Sequence, residues 1–424
     1  MANEAMKHDF TVLPNGLRVI GVPMKMFRSV SVGLWVDSGS VYETAQTNGI
    51  SHFIEHMLFK GTENRTARQI AEEMDAVGGL LNAFTDRENT CFYTKVVDEH
   101  LPLAMDMISD LVLHSRLAKE DIAREKGVVL EEINMAEDTP DDLVFELLAQ
   151  ARYGLQPVSR PVLGTAENVN AFTREDILAH MKRCYRPEGA VLALAGSYDW
   201  DKVVAQAAEL YGAWQGTGEK RPVIALEPHE PTVIRREKDI EQTHITIDYP
   251  GLKAGDPGYY PLTILNTVVG GAMSSRLFQT IREEKGLAYS VYSGTGATSV
   301  SGTFEIYAGT SPENAEQVVE LINREMLKLA KDGISEKEFS QAREQTLANL
   351  IMATESTSNR MQSAGRRMLM RGETMTPDEL IEKVKAIRPD EVNELASGLI
   401  TKPRAAALVG AGTDNVSDEL LLMK

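Results

Sequence analysis

Cysteine is nearly missing from this chain. Cys91 and Cys184 are the only two in 424 residues, too few for a disulfide framework or a cysteine zinc cluster, and a reducing compartment fits. Positive charge is also in deficit: 44 Lys and Arg stand against 62 Asp and Glu, a formal charge of -18. That is the wrong sign for a binder of phosphate backbones, so no nucleic-acid partner is expected. Charges interrupt the apolar stretches well before the roughly 18 residues that a membrane-crossing helix requires. The opening MANEAMKHDF has neither the apolar run of a secretory signal nor the Arg-rich pattern of a transit peptide. These absences predict a cytoplasmic protein without a membrane partner. Gly33, Gly39 and Gly49 are too widely spaced for a dinucleotide fingerprint, and no segment ends as a P-loop does, which argues against a nucleotide enzyme.

What is present is the composition of an ordinary globular protein, 43% hydrophobic and 25% charged, long enough for two or more domains. After the turn-forming pair Asn15-Gly16, Leu17 to Val22 and Ser29 to Val36 read as strands. Thr47 to Lys60 changes to helical spacing, with Ile50, Phe53, Ile54, Met57 and Leu58 forming an apolar stripe. A helix over Ala67 to Val77 is stopped by Gly78 and Gly79. Leu81 to Phe84 and Thr90 to Val97 form a hairpin around Asp86-Arg87-Glu88, and Leu101 to Leu113 and Lys119 to Asp138 return to helix.

The composition shifts at 215–231, where Gly216, Gly218, Pro222, Pro228 and Pro231 interrupt charged sequence. Beyond this linker the earlier order recurs: strand Thr243 to Tyr249, helices Tyr260 to Val269 and Ser275 to Glu284, Gly286, strands Ala288 to Ser293 and Ser301 to Ala308, then two helices. The expected fold class is α+β, with two related domains, each a mostly antiparallel sheet packed against helices. Residues 1–214 make the first domain and 232–424 the second.

His52 and His56 are one helical turn apart and can offer nitrogens to one metal ion. Glu55 lies beside them, within reach of a water that zinc would acidify; a carboxylate there can take its proton and deliver it to a leaving amine. Two histidines leave a catalytic zinc site one protein ligand short. Glu125 and Glu132, about two turns apart on the next long acidic helix, are candidates for the neighbourhood of the metal. Their apolar neighbours Val128, Val129 and Ile133 make a charge partner necessary.

The run His52-Phe53-Ile54-Glu55-His56-Met57-Leu58-Phe59-Lys60-Gly61-Thr62 closely resembles the inverted zinc motif of the pitrilysin-like peptidases, family M16. The resemblance extends to Asn82-Ala83-Phe84-Thr85, to Val129-Leu130-Glu131-Glu132-Ile133, and to Arg282 through Tyr289. It implies a zinc metallopeptidase with His52, His56 and Glu132 as ligands, Glu55 as the base, and Glu125 orienting a ligand histidine. It also implies that Asn82 and Ala83 lie on the strand edge that receives the substrate backbone. Arg282 and Tyr289 would donate hydrogen bonds to a peptide carbonyl or to the developing oxyanion.

In the second half the helix Tyr260 to Val269 takes the place of the metal helix but holds Leu262, Leu265 and Asn266 instead of histidine. Ala348, Asn349 and Leu350 stand near the place of Glu132, so the second domain is expected to have no metal site. Members of this family enclose peptides between two bowl-shaped halves. A chain of this length supplies one half-chamber, so the resemblance implies a homodimer with Arg282 and Tyr289 completing the partner copy's site. The alternatives are a heterodimeric processing peptidase, like that of mitochondria, and a non-catalytic structural subunit. Gly270 and Gly271 are too short a glycine stretch for the presequence-handling loop of the mitochondrial non-catalytic partner, which favours an oligopeptidase acting on short or unfolded peptides.

Overall fold

The computed structural model describes residues 8–216 and 223–424. Residues 1–7 of the N-terminal reading and 217–222 of the expected linker lie outside the described residues. The chain forms two compact units, one of residues 1–133, 161–223 and 351–379, the other of 134–160, 224–350 and 380–424.

The first unit holds a six-stranded sheet built from β1 (Asp9–Val12), β2 (Arg18–Pro23), β3 (Ser29–Val36), β4 (Leu80–Thr85), β5 (Thr90–Val97) and β6 (Ala190–Gly196), in the order β1-β2-β6-β3-β5-β4. Only β2 and β6 pair in parallel. The second unit holds β7 (Val233–Glu237), β8 (Thr243–Pro250), β9 (Ala288–Ala297), β10 (Gly302–Thr310) and β11 (Ala405–Gly410), ordered β7-β11-β8-β10-β9, again with a single parallel pair, β7 with β11. The order β2-β6-β3-β5-β4 is thus matched by β7-β11-β8-β10-β9, with β1 an addition in the first sheet, and the α+β class with two related, mostly antiparallel sheets is the observed one.

The units cut across the 1–214 and 232–424 segments. Helix Pro140–Tyr153 packs Leu143, Val144, Leu147, Leu148 and Ala151 on Ala405, Ala407 and Val409 of the second sheet. Helix Thr357–Arg371 packs Met361, Ala364, Met368 and Leu369 on Ile20, Val22 and Trp35 of the first. Both sheets are thereby covered on two faces, which explains why β3 reads as a nearly continuous apolar run. Its exceptions are small for a reason. Ser31 Oγ lies 2.9 Å from Thr357 Oγ1, and a side chain at Gly33 would meet Met361 Sδ at 2.8 Å.

On its other face the first sheet carries the larger core, including Val30, Val32, Leu34 and Val36 of β3 with Ile50, Phe53, Ile54, Met57 and Leu58 of helix Ile50–Leu58. Burying that stripe at about 25 cal/mol per Å² of apolar surface holds the short helix to the sheet and turns its polar face outward. Among the described residues no helix is long and apolar enough to cross a membrane.

Candidate metal centre

The polar face of helix Ile50–Leu58 carries His52, Glu55 and His56. Helix Lys119–Glu137 runs beside it, with Val129 in the shared core, and presents Glu125 and Glu132. Glu132 Oε2 lies 3.3 Å from His56 Nε2 and 3.6 Å from His52 Nε2. Among the described residues, this trio is the group of His, Cys, Asp or Glu side chains whose ligand atoms all fall within 4.8 Å of one another. A tetrahedral ion bound at about 2.0–2.1 Å holds its ligand atoms roughly 3.3 Å apart, close to both separations.

Two further observations fit a metal. Glu132 Oε2 is shut off from solvent without a hydrogen-bond partner, an arrangement that is costly unless a cation completes it. Burial, aided by the neighbouring His56, lowers the pKa of His52 to about 4, so its imidazole is neutral and able to ligate. The donor set, two imidazoles and a carboxylate, suits zinc.

The supporting residues are equally defined. Glu125, 2% exposed, places Oε1 2.9 Å from His56 Nδ1 and Oε2 2.8 Å from Lys60 Nζ. Burial raises the pKa of Glu125, but the hydrogen bonds from His56 and Lys60 outweigh it and hold the carboxyl below its usual range. Glu55 feels His56 only through space and has Glu132 as a like-charged neighbour. Burial raises its pKa against the opposing hydrogen bond from Thr85, whose Oγ1 donates to Oε2 at 2.5 Å. Thr85 ends β4, so the same strand that forms the outer edge of the sheet also touches Glu55. Asn82 and Ala83 sit on that edge, with Asn82 exposed.

The structure adds Lys60 and Thr85 to the site. Lys60 had a signal, since it follows His56 by one helical turn; Thr85 had none beyond its place in the Asn82 to Thr85 run.

Comparison with known proteins gives the family. Residues 23–166 match the family model described as Insulinase (Peptidase family M16), and residues 171–346 match the model described as Peptidase M16 inactive domain. The chain belongs to peptidase family M16. Relatives in this family include the uncharacterized zinc protease YmxG of Bacillus subtilis, 40% identical over 93% of this chain and 96% of the relative. An uncharacterized zinc protease of Streptomyces coelicolor is 37% identical over 97% of this chain and 91% of its own. Among solved structures, a protease from Helicobacter pylori shares the fold with a TM-score of 0.89 at 20% identity, covering 96% of this chain and 100% of that one.

In the second unit, helix Tyr259–Val269 carries Leu262, Ile264, Leu265 and Val268 into the core, and the matching M16 model is the one named inactive. Arg282 and Tyr289 are brought together there. The expected helix Ser275 to Glu284 is wound as a π-helix over Phe278–Glu284, a rare form frequent at functional sites. The Arg282 guanidinium carbon lies 4.7 Å from the ring centre of Phe278 and 4.7 Å from that of Tyr289. Tyr289, on the edge strand β9, is 78% exposed.

Proposed function

We propose that this chain is a zinc metallopeptidase that hydrolyses peptide bonds in short or unfolded peptides. The observation that carries the proposal is the convergence of His52 Nε2, His56 Nε2 and Glu132 Oε2 beside the Glu55 carboxylate. Zinc held by those three atoms would polarise a peptide carbonyl and acidify a water molecule.

The chain's own residues do the rest. Glu55 accepts the water proton and hands it to the departing amine nitrogen; its raised pKa suits a group that must both take and give. Thr85 holds Oε2 of Glu55, so the carboxylate meets its water in one orientation. Glu125 keeps the proton of His56 on Nδ1 and leaves Nε2 as the ligand atom. The outer edge of β4 at Asn82 and Ala83 offers backbone groups to an extended peptide, a mode that asks little of its side chains.

Arg282 and Tyr289 have donors suited to a peptide carbonyl, and the two aromatic faces around the guanidinium limit its freedom. We assign them to the chamber wall contributed by a second copy of the chain, in a homodimer that encloses its substrate. The name zinc protease borne by relatives at 37–40% identity supports the chemistry.

The test is to load purified protein with zinc, measure metal stoichiometry and oligomeric mass, and follow peptides of graded length by mass analysis. Glu55→Gln should bind zinc normally and lose hydrolysis. Cleavage by Glu55→Gln at the unaltered rate would remove Glu55 as the base, and an active monomer would remove the two-copy chamber.

A further inference from the structure

Helix Ile50–Leu58 has nine residues and starts at Gly49, whose φ is 98° and which has no side chain to cap the helix. Helix starts favour Ser, Thr, Asp or Asn because the first turn leaves backbone N–H groups without partners. Here such a residue is barred: a Cβ at Gly49 would sit 2.7 Å from Leu163 O, and the positive φ disfavours any L side chain. The cap must come from elsewhere.

It comes from Glu43. Its Oε2 accepts from Gly49 N at 2.8 Å and from Asn48 Nδ2 at 2.9 Å, and its Oε1 accepts from Ser51 N at 2.8 Å. Glu43 is 4% exposed, and Ser51 immediately precedes His52. A carboxylate that grips two N–H groups two residues apart restrains the pitch and the rotation of the first turn together. Its negative charge also meets the positive end of the helix dipole.

The Ser51 side chain is held as well: its Oγ is 3.2 Å from His180 Nε2, which is 3.0 Å from Ser38 Oγ. Rotation of this helix about its axis carries His52, Glu55 and His56 with it. With ligand atoms 3.3 and 3.6 Å apart, a displacement of even about 1 Å would spoil the set.

We infer that Glu43 is a positioning residue for the metal centre, fixing the direction of the metal helix through its first-turn amides. The inference rests on the metallopeptidase reading for its catalytic consequence. Its structural part can be judged without metal.

The experiment compares the full chain with Glu43→Gln and with Asn48→Ala, which removes one of the three grips and spares the backbone ones. Three quantities are measured: amide hydrogen exchange across residues 51–56 in metal-free protein, the visible spectrum and affinity of bound Co2+, and kcat and KM for a peptide. In Glu43→Gln, exchange across this segment should quicken while exchange in β3 and β6 stays as it was. Co2+ should bind about 10–100-fold more weakly with altered bands, and kcat should fall while KM holds. Asn48→Ala should move each quantity the same way by less, and it carries the test if Glu43→Gln does not fold.

Unchanged exchange and an unchanged Co2+ spectrum in the folded variants would overturn the inference. So would a loss of activity that only follows the folded fraction. If the unaltered chain binds no Co2+, the metallopeptidase reading fails, and the exchange measurement alone decides the role of Glu43.

Discussion

His56 Nδ1 lies 2.9 Å from Glu125 Oε1, and the other oxygen of that carboxylate takes Lys60 Nζ at 2.8 Å. Glu125 is thus an ionised acceptor with both oxygens engaged, and the imidazole proton has one place to be. For His56, burial works against the charged form, yet Glu125 and the neighbouring Glu132 outweigh it and raise the pKa. The carboxylate orients the ring and makes Nε2 more basic, both of which favour metal binding.

Glu125→Gln should therefore weaken zinc binding by about 10–100-fold with little change in fold. Competition with a chelator measures the first and circular dichroism the second. Wild-type affinity would show that the His56 ring needs no charged acceptor at Nδ1.

Thr85→Val removes the hydroxyl that holds Glu55 and changes little else in volume. A hydrogen bond to a charged group contributes about 1.5–3 kcal/mol, so kcat should drop roughly tenfold or more, and Thr85→Ser should restore most of it. Steady-state rates on one peptide, with zinc content checked, decide the matter. Equal rates for Val and Thr would mean that Glu55 needs no such hold.

In the second unit Arg152 Nε meets Asp248 Oδ2 at 2.6 Å, with side-chain exposures of 8% and 0%. Arg152 also donates to Asp248 O and to Pro403 O, which joins helix Pro140–Tyr153 to β8. Asp248→Ala leaves a buried guanidinium without its charge partner and should cost about 3–5 kcal/mol. Urea unfolding measures the loss. The paired change Arg152→Leu with Asp248→Leu should recover much of it, and a double-mutant cycle without coupling would contradict this account.

Acid should weaken a different joint. Burial tends to raise the pKa of Glu338, but the Arg276 guanidinium and the Ser335 amide and hydroxyl outweigh it and bring it down to about 2. Arg276 Nε is 2.6 Å away. The unfolded chain takes up a proton at higher pH than the folded one, so the stabilisation is complete above about pH 4.5 and fades as pH falls toward about 2. With partial exposure and solvent screening, the contribution is on the order of 1 kcal/mol. Unfolding midpoints between about pH 6 and about pH 3 should fall less steeply for Glu338→Gln than for the unaltered chain. Parallel curves would place the acid sensitivity elsewhere.

Much of the local structure was legible from pattern. Ser29 to Val36 and Thr90 to Val97 appear with the expected bounds, because each carries one clear strand pattern bounded by turn residues. The exchange of helices Pro140–Tyr153 and Thr357–Arg371 between the two sheets was not legible. An apolar stripe announces that a face will be buried without naming the surface that buries it. That choice lay in complementary detail, such as Ser31 and Gly33 leaving room for Thr357 and Met361.

The site divides along the same line. His52, Glu55 and His56 were set by spacing, since helical geometry within five residues places the imidazoles on one face and the carboxylate beside them. Glu125 and Glu132 were candidates from their two-turn separation, and the family resemblance sorted their roles. Lys60 on Glu125, Thr85 on Glu55 and Glu43 on the first turn emerged only once the chain was folded. Local periodicity depends on residues a few positions apart and survives in any fold that keeps the helix. A hydrogen bond between residues 30 or 65 positions apart, as in Thr85 with Glu55 or Lys60 with Glu125, depends on how sheet and helices pack, which no local rule contains.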